Sequence, residues 1–241
     1  MVEHLVYTER VGGSSPSPPT SRVVNGVLAL WVACLALAWC GSAQAATMTF
    51  RVEPLMATNC GARCPHVIVA EGVIETDTPQ TFIDFLKERS EDDKLRRIVF
   101  LNSPGGNVVA SMVFGHILRG LHVAAVVGRF GSGEVRPYVG ECLSACVYAM
   151  MGAVRRVAPS GSEVALHRMS IVESEGGGWG GPSHVTRSFA DAPMVAILKR
   201  YARRMGVNPN LVALAESLPP DSVHVLTRDE MRRWSFATSD F

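Results

Sequence analysis

"RRIVFLNSPGGNVVASMVFGHILRG", residues 96–120, decides how this chain is to be read. Ile98 to Leu101 form an apolar run of buried-strand length. "SPGGN" breaks that run as a turn. Gly105 and Gly106 must bring the turn close to something, because neither carries a side chain to hold it away. "VVASMVFGHILRG" then places apolar residues at Val109, Met112, Val113 and Ile117, the spacing of an amphipathic helix closed by Gly120.

The same alternation extends outward. "TMTFRVEP" and "HVIVAEGVI" read as strands from β-branched and apolar content. "TPQTFIDFLKER" is a helix with Thr78 as N-cap, Pro79 in the first turn, and Phe82, Phe85 and Leu86 on one face. Downstream, "HVAAVVG" is a buried strand, "CLSACVYAMMGA" an apolar helix, and "RRVAP" and "SEVALHRM" are short strands. "SIVESEGGGWGGPSHVTRSFA" reads as one long Gly-rich loop. Its stretch "EGGGWGGP", 175–182, is either a flap carrying Trp179 or disordered. Two helices, "APMVAILKRYARRMG" and "PNLVALAESL", precede "PPDSVHVLTRDEMRRW". Short buried strands alternating with helices indicate an α/β domain, with the motif loops at one end of the strands. No linker divides residues 47–241, which read as a single domain.

Residues 1–46 read as a leader. An apolar stretch from Val27 to Trp39 ends in Ala43-Gln44-Ala45, an A-x-A cleavage pattern, and is short for a membrane span. The polar, Pro/Ser-rich residues before it suggest a start placed too early. This predicts an exported protein, periplasmic or secreted. Apolar residues make up 47% of the 241 and charged ones 19%, with a net charge of +1, which argues against a nucleic-acid binder. Export leaves Cys60, Cys64, Cys142 and Cys146 in an oxidising compartment, with three pairings open. Cys60 with Cys64 is the natural local bridge. Cys142 and Cys146 would bridge only at a distorted helix start. A zinc site from Cys60, Cys64 and His66 is the metal alternative, without a second ligand pair to complete it.

"LNSPGG" between a strand and a helix, "CLSAC" at a helix start and "VALH" closing a later strand resemble, in that order and spacing, the Clp protease proteolytic subunit and the wider ClpP/crotonase superfamily. The nearer likeness is to exported bacterial ClpP-like proteins. It runs from Ile98 to Phe236 and implies repeated β-β-α units with buried parallel strands. It also implies roles: Ser144 as nucleophile, His167 as general base, and backbone N–H groups of Gly106 and Ala145 as the oxyanion hole. Gly105 and Asn107 would border extended substrate bound as an added strand. The third triad member would be Asp221, although a gapless alignment on Leu226 lands on Val223 instead.

The reaction implied is hydrolysis of peptide or protein substrates by a serine peptidase without cofactor or metal. An exported chain would have no ATPase partner. The family often assembles into rings or stacked trimers, so a homo-oligomer is open. The competing reading is a catalytically inactive fold serving binding or assembly. A Ser–Lys dyad would have to draw on Lys199, within a helix. Crotonase-type thioester chemistry fits poorly outside the cytoplasm.

Overall fold

The computed structural model describes residues 46–55, 60, 63–131, 137–175 and 184–239. The leader up to residue 45 and residues 176–182, with Trp179, lie outside the described residues.

The main sheet has the order β1-β2-β3-β4-β6, made of β1 (Thr49–Pro54), β2 (His66–Glu71), β3 (Leu95–Asn102), β4 (Ala124–Val127) and β6 (Arg155–Val157). β1 is antiparallel to β2 and every other pair is parallel. These strands are nearly continuous in apolar residues because both faces are covered. Ile68, Ala70, Val99, Leu101, Ala125 and Val127 face the main core. Their neighbours Val67, Val69, Phe100 and Val126 point the other way, into a smaller cluster with Phe130. Main-core packing centres on Phe82 and Phe114, whose rings sit 5.0 Å apart edge to face.

A second sheet has the order β10-β7-β5, from β5 (Glu141–Leu143), β7 (Glu163–His167) and β10 (Val223–Val225). β5 and β7 run parallel, and β10 is antiparallel to β7. The turn after β3 joins the two sheets. Ser103 N–H donates to Glu141 O at 2.8 Å, and Leu143 N–H donates to Ser103 O at 3.0 Å. The architecture is the mixed α/β arrangement with buried parallel strands that the sequence indicates. Parallel strands end at the same edge of their sheets, which is where the three motifs lie.

Six helices are described: α1 (Thr78–Glu88), α2 (Val108–Gly120), α3 (Ala145–Gly152), α4 (Ala192–Arg204), α5 (Asn210–Ser217) and α6 (Arg228–Arg233). Every residue of α3 is buried, as expected of a helix apolar on all sides. α2 crosses it closely at paired glycines, where a methyl on Gly152 would lie 2.0 Å from Gly115 O. The α3 carboxyl end is fixed by two guanidiniums. Arg119 and Arg156 both donate to Met151 O and Ala153 O, at 2.9–3.3 Å. Positive charge against the last carbonyls of a helix complements its dipole, so α3 is held at the end remote from Ser144.

Four sequence readings need correction. The buried face of α2 is Ala110, Ser111, Phe114, Gly115 and Leu118, whereas Val109 and Val113 are 59% and 46% exposed. On that face Gly115 stands where α3 approaches too closely for a larger residue, while Phe114 and Leu118 fill the core. The Gly-rich loop is instead bounded by an antiparallel pair, β8 (Ser170–Glu175) and β9 (His184–Phe189). Asp77, not Thr78, is the N-cap of α1. Cys142 and Leu143, read as the start of a helix, form a strand with Glu141.

Candidate active site

Ser144 occupies the sharp step from β5 to α3. Its backbone has φ 53° and ψ −119°, a left-handed conformation that costs a non-glycine residue about 1–3 kcal/mol. The surroundings impose it. Ser144 N–H donates to Ala165 O on β7 at 2.8 Å, extending the parallel register in which Leu143 faces Ala165. One residue later the chain must turn into the buried helix, so the side chain is set at the helix N-terminus.

A disulfide brackets this step. Cys142 on β5 and Cys146 in the first turn of α3 are both fully buried and bonded, with Cα atoms 5.2 Å apart. Because they lie on two elements with a sharp turn between, the four-residue spacing closes where a regular helix would hinder it. Cys60 is bonded to Cys64, so the thiols of the zinc alternative are occupied. His66 Nδ1 meets Asp92 Oδ2 at 2.7 Å instead. Replacing Cys142 and Cys146 together by Ala should lower stability by about 2 kcal/mol, the value for so small a ring. Denaturant melts of the variant and of wild type check this. A difference near zero would mean the turn is held without the bridge.

His167 closes β7. Its Nδ1 lies 2.7 Å from Arg168 O. A carbonyl can only accept, so Nδ1 carries a proton, and in the neutral ring the lone pair is then on Nε2, the tautomer a general base requires. Ser144 and His167 line one cleft of about 250 Å³ with Pro104, Gly106, Val108, Tyr148, Leu166 and Met169 among its walls. No hydrogen bond joins Ser144 to His167, a looseness common in unliganded sites.

The "SPGG" turn packs directly on this step. A Cβ built on Gly105 would stand 2.9 Å from Ser144 Cβ and 3.1 Å from Ala145 N. Gly105 and Gly106 have φ of 110° and 133°. Gly105 N–H is held by Ser103 Oγ at 3.1 Å. The N–H groups of Gly106 and Ala145 donate to no acceptor among the described residues. For Ala145 the reason is that the first helical N–H has no intrahelical partner.

Not every expected residue reaches the cleft. Asp221 has a side chain 89% exposed and holds Arg187 Nη1 at 2.9 Å; it makes no hydrogen bond to His167. Val223 is the residue paired with His167 across β10 and β7. Asn107 Oδ1 accepts Ala110 N–H at 2.9 Å as the N-cap of α2, so that oxygen is already engaged. Gly105 is buried beneath the Ser144 turn and is not a cleft wall. Lys199 sits on α4 and does not line the cleft.

Two polar residues near the cleft were not anticipated. Tyr148, one turn beyond Ser144 on α3, lines it while only 5% exposed. Burial, then the nearby Glu216, pushes its phenol well above the ordinary value. Glu216 on α5 accepts Met169 N–H at 3.4 Å and leaves its other oxygen buried without a partner. Its carboxyl stands above the ordinary carboxylate value because of burial, an effect that Met169 N–H, Arg168 and His167 offset only in part.

No known protein family matches the chain, and no curated protein matches it. Among solved structures it is similar to 1510-N, a membrane-bound stomatin-specific protease, in two variants. The serine-to-alanine variant aligns with TM-score 0.46 at 18% identity, over 70% of this chain and 76% of that one. A lysine-to-alanine variant in complex with a substrate peptide aligns with TM-score 0.45 at 18% identity, over 72% and 74%.

Proposed function

We propose that this chain is an exported ClpP-like serine hydrolase, an ATP-independent endopeptidase. The observation that carries the reading is the strained backbone of Ser144, placed at the start of a buried helix in the same cleft as a base-competent His167. Strain of this kind persists where the surroundings enforce it, and it collects at functional sites. In the proposed reaction His167 Nε2 takes the Oγ proton as Ser144 attacks a peptide carbonyl. Gly106 and Ala145 N–H groups face the oxyanion, and water then releases the acyl group. Peptide is the substrate proposed, bound as extended chain beside the "SPGGN" segment.

Two disulfides, Cys60–Cys64 and Cys142–Cys146, support export to an oxidising compartment. The exposed Val109 and Val113 on α2 are consistent with a homo-oligomer contact. The second reading, an inactive fold used for binding, is favoured by one observation, the missing hydrogen bond between Ser144 and His167. A fluorophosphonate probe separates the two. The active reading expects labelling of wild type, slowed at least a hundredfold in His167→Ala. Folded wild-type protein that takes no label would support the binding reading.

A further inference from the structure

Among the described residues, three buried side-chain atoms make no hydrogen bond: Arg119 Nε, Arg168 Nε and Glu216 Oε2. Two of them belong to residues that lie in or adjoin the His167–Met169 segment. Arg168 is the chain neighbour of His167, with the guanidinium over the Phe189 ring at 4.4 Å. Glu216 comes from α5, which packs against β7, and bonds the N–H of Met169, two residues beyond His167.

We propose that Glu216 is the positioning carboxylate of the Ser144–His167 site, in place of Asp221. It fixes the His167–Met169 turn through Met169 N–H and offsets the charge that His167 acquires. This rests on the hydrolase reading above. In the acylation step the Ser144 O–H bond breaks and its proton goes to His167 Nε2. The Oγ electron pair forms the bond to the acyl carbon, and the proton is later passed from Nε2 to the amine nitrogen as the scissile C–N bond breaks. Between those events the ring is a cation. Its Nδ1–H is held by a neutral carbonyl, Arg168 O, which orients the ring and carries no countercharge. Stabilising the imidazolium therefore needs an anion elsewhere.

Among the described residues, the charged groups around His167 leave one supplier. Arg168, from the same turn, is positive and works against the imidazolium. Tyr148, from α3, is kept neutral by burial and by Glu216 itself. On the β9–β10 side, Asp221 is exposed and paired with Arg187. Glu216 is a half-buried carboxylate with one oxygen buried and unpaired, held beside His167 by the N–H of Met169 two residues on. Keeping an unpaired carboxylate oxygen buried is costly, and the charge it brings beside a proton-accepting base is the physical return. Glutamine at 216 would keep an acceptor for Met169 N–H and lose only the charge.

The test is the titration of His167 in the full-length chain, followed by imidazole NMR and assigned with His167→Gln. In Glu216→Gln the His167 pKa should fall by half a unit or more, because an anion favouring the cation is gone. Glu216→Asp, with the carboxylate withdrawn by one methylene, should show a smaller fall, and it covers the case in which the Gln variant misfolds. The acid limb of the pH dependence of fluorophosphonate labelling should move down by the same amount, which a merely structural residue would not produce. An unmoved His167 titration in folded Glu216→Gln would overturn the proposal. So would a fall seen in Asp221→Asn and absent in Glu216→Gln. A fall in Glu216→Gln with no labelling of wild type would uphold the pairing of Glu216 with His167 and sink the hydrolase reading instead.

Discussion

Ser144→Ala is expected to take no fluorophosphonate label and to hydrolyse an activated ester about 10⁴-fold more slowly than wild type. Its melting temperature should be unchanged. Ser144→Gly should be equally inert and more stable, by about 1 kcal/mol. The difference between the variants comes from the backbone. At φ 53° and ψ −119° any Cβ is strained, so Ala keeps the strain of Ser and only Gly relieves it. Glycine returns part of that gain through the greater freedom of its unfolded chain, which is why the expected net is near the low end of the range. A serine placed here merely for helix packing would have no reason to hold a conformation that glycine holds better, whereas a nucleophile must be displayed at this turn. Residual hydrolysis in Ser144→Ala would remove Ser144 as nucleophile. Loss of stability in Ser144→Gly would remove the claim of strain.

What could be read from the sequence was local, and what could not was set by approach between distant elements. "SPGGN", "CLSAC" and "VALH" each punctuate the chain, and the structure brings Gly106, Ser144 and His167 to one cleft. Cys142 and Leu143 hid inside an apolar run that reads as helix throughout; only pairing with β7 makes them a strand. Val109 and Val113 mimic a buried stripe on α2, while the true buried face is Ala110, Ser111, Phe114, Gly115 and Leu118. That inversion follows from the close crossing at Gly115 and Gly152, which no periodicity within one helix can announce. Glu216 stands in "LVALAESL" as an ordinary solvent-side glutamate. Its burial appears only when α5 folds against β7. One cue lay in the sequence: a gapless alignment on Leu226 puts Val223, not Asp221, at the position of the third triad member.

Gly106→Ala is the second large effect expected. A methyl there would lie 2.1 Å from Ile74 O, a backbone atom, at a φ of 133° that side chains rarely adopt. Ile74 O cannot retreat freely, because it accepts Asn107 N–H at 2.7 Å, while Ile74 N–H donates to Gly105 O at 2.8 Å. The two bonds clamp the turn against the residues that follow β2, so the new methyl must lift the turn and break them. Stability should fall by about 3 kcal/mol. Lifting the turn also withdraws the Gly106 N–H from Ser144. Losing one such donor costs about 10²–10³ in rate, so labelling measured well below the melting point should slow by that factor. Gly120→Ala is the control, since nothing lies within 4 Å of its added Cβ. It should gain about 0.5 kcal/mol as a better helix former and label at the wild-type rate. If Gly106→Ala folds less stably yet labels as fast as Gly120→Ala, the turn is structural and the oxyanion donor must be sought elsewhere.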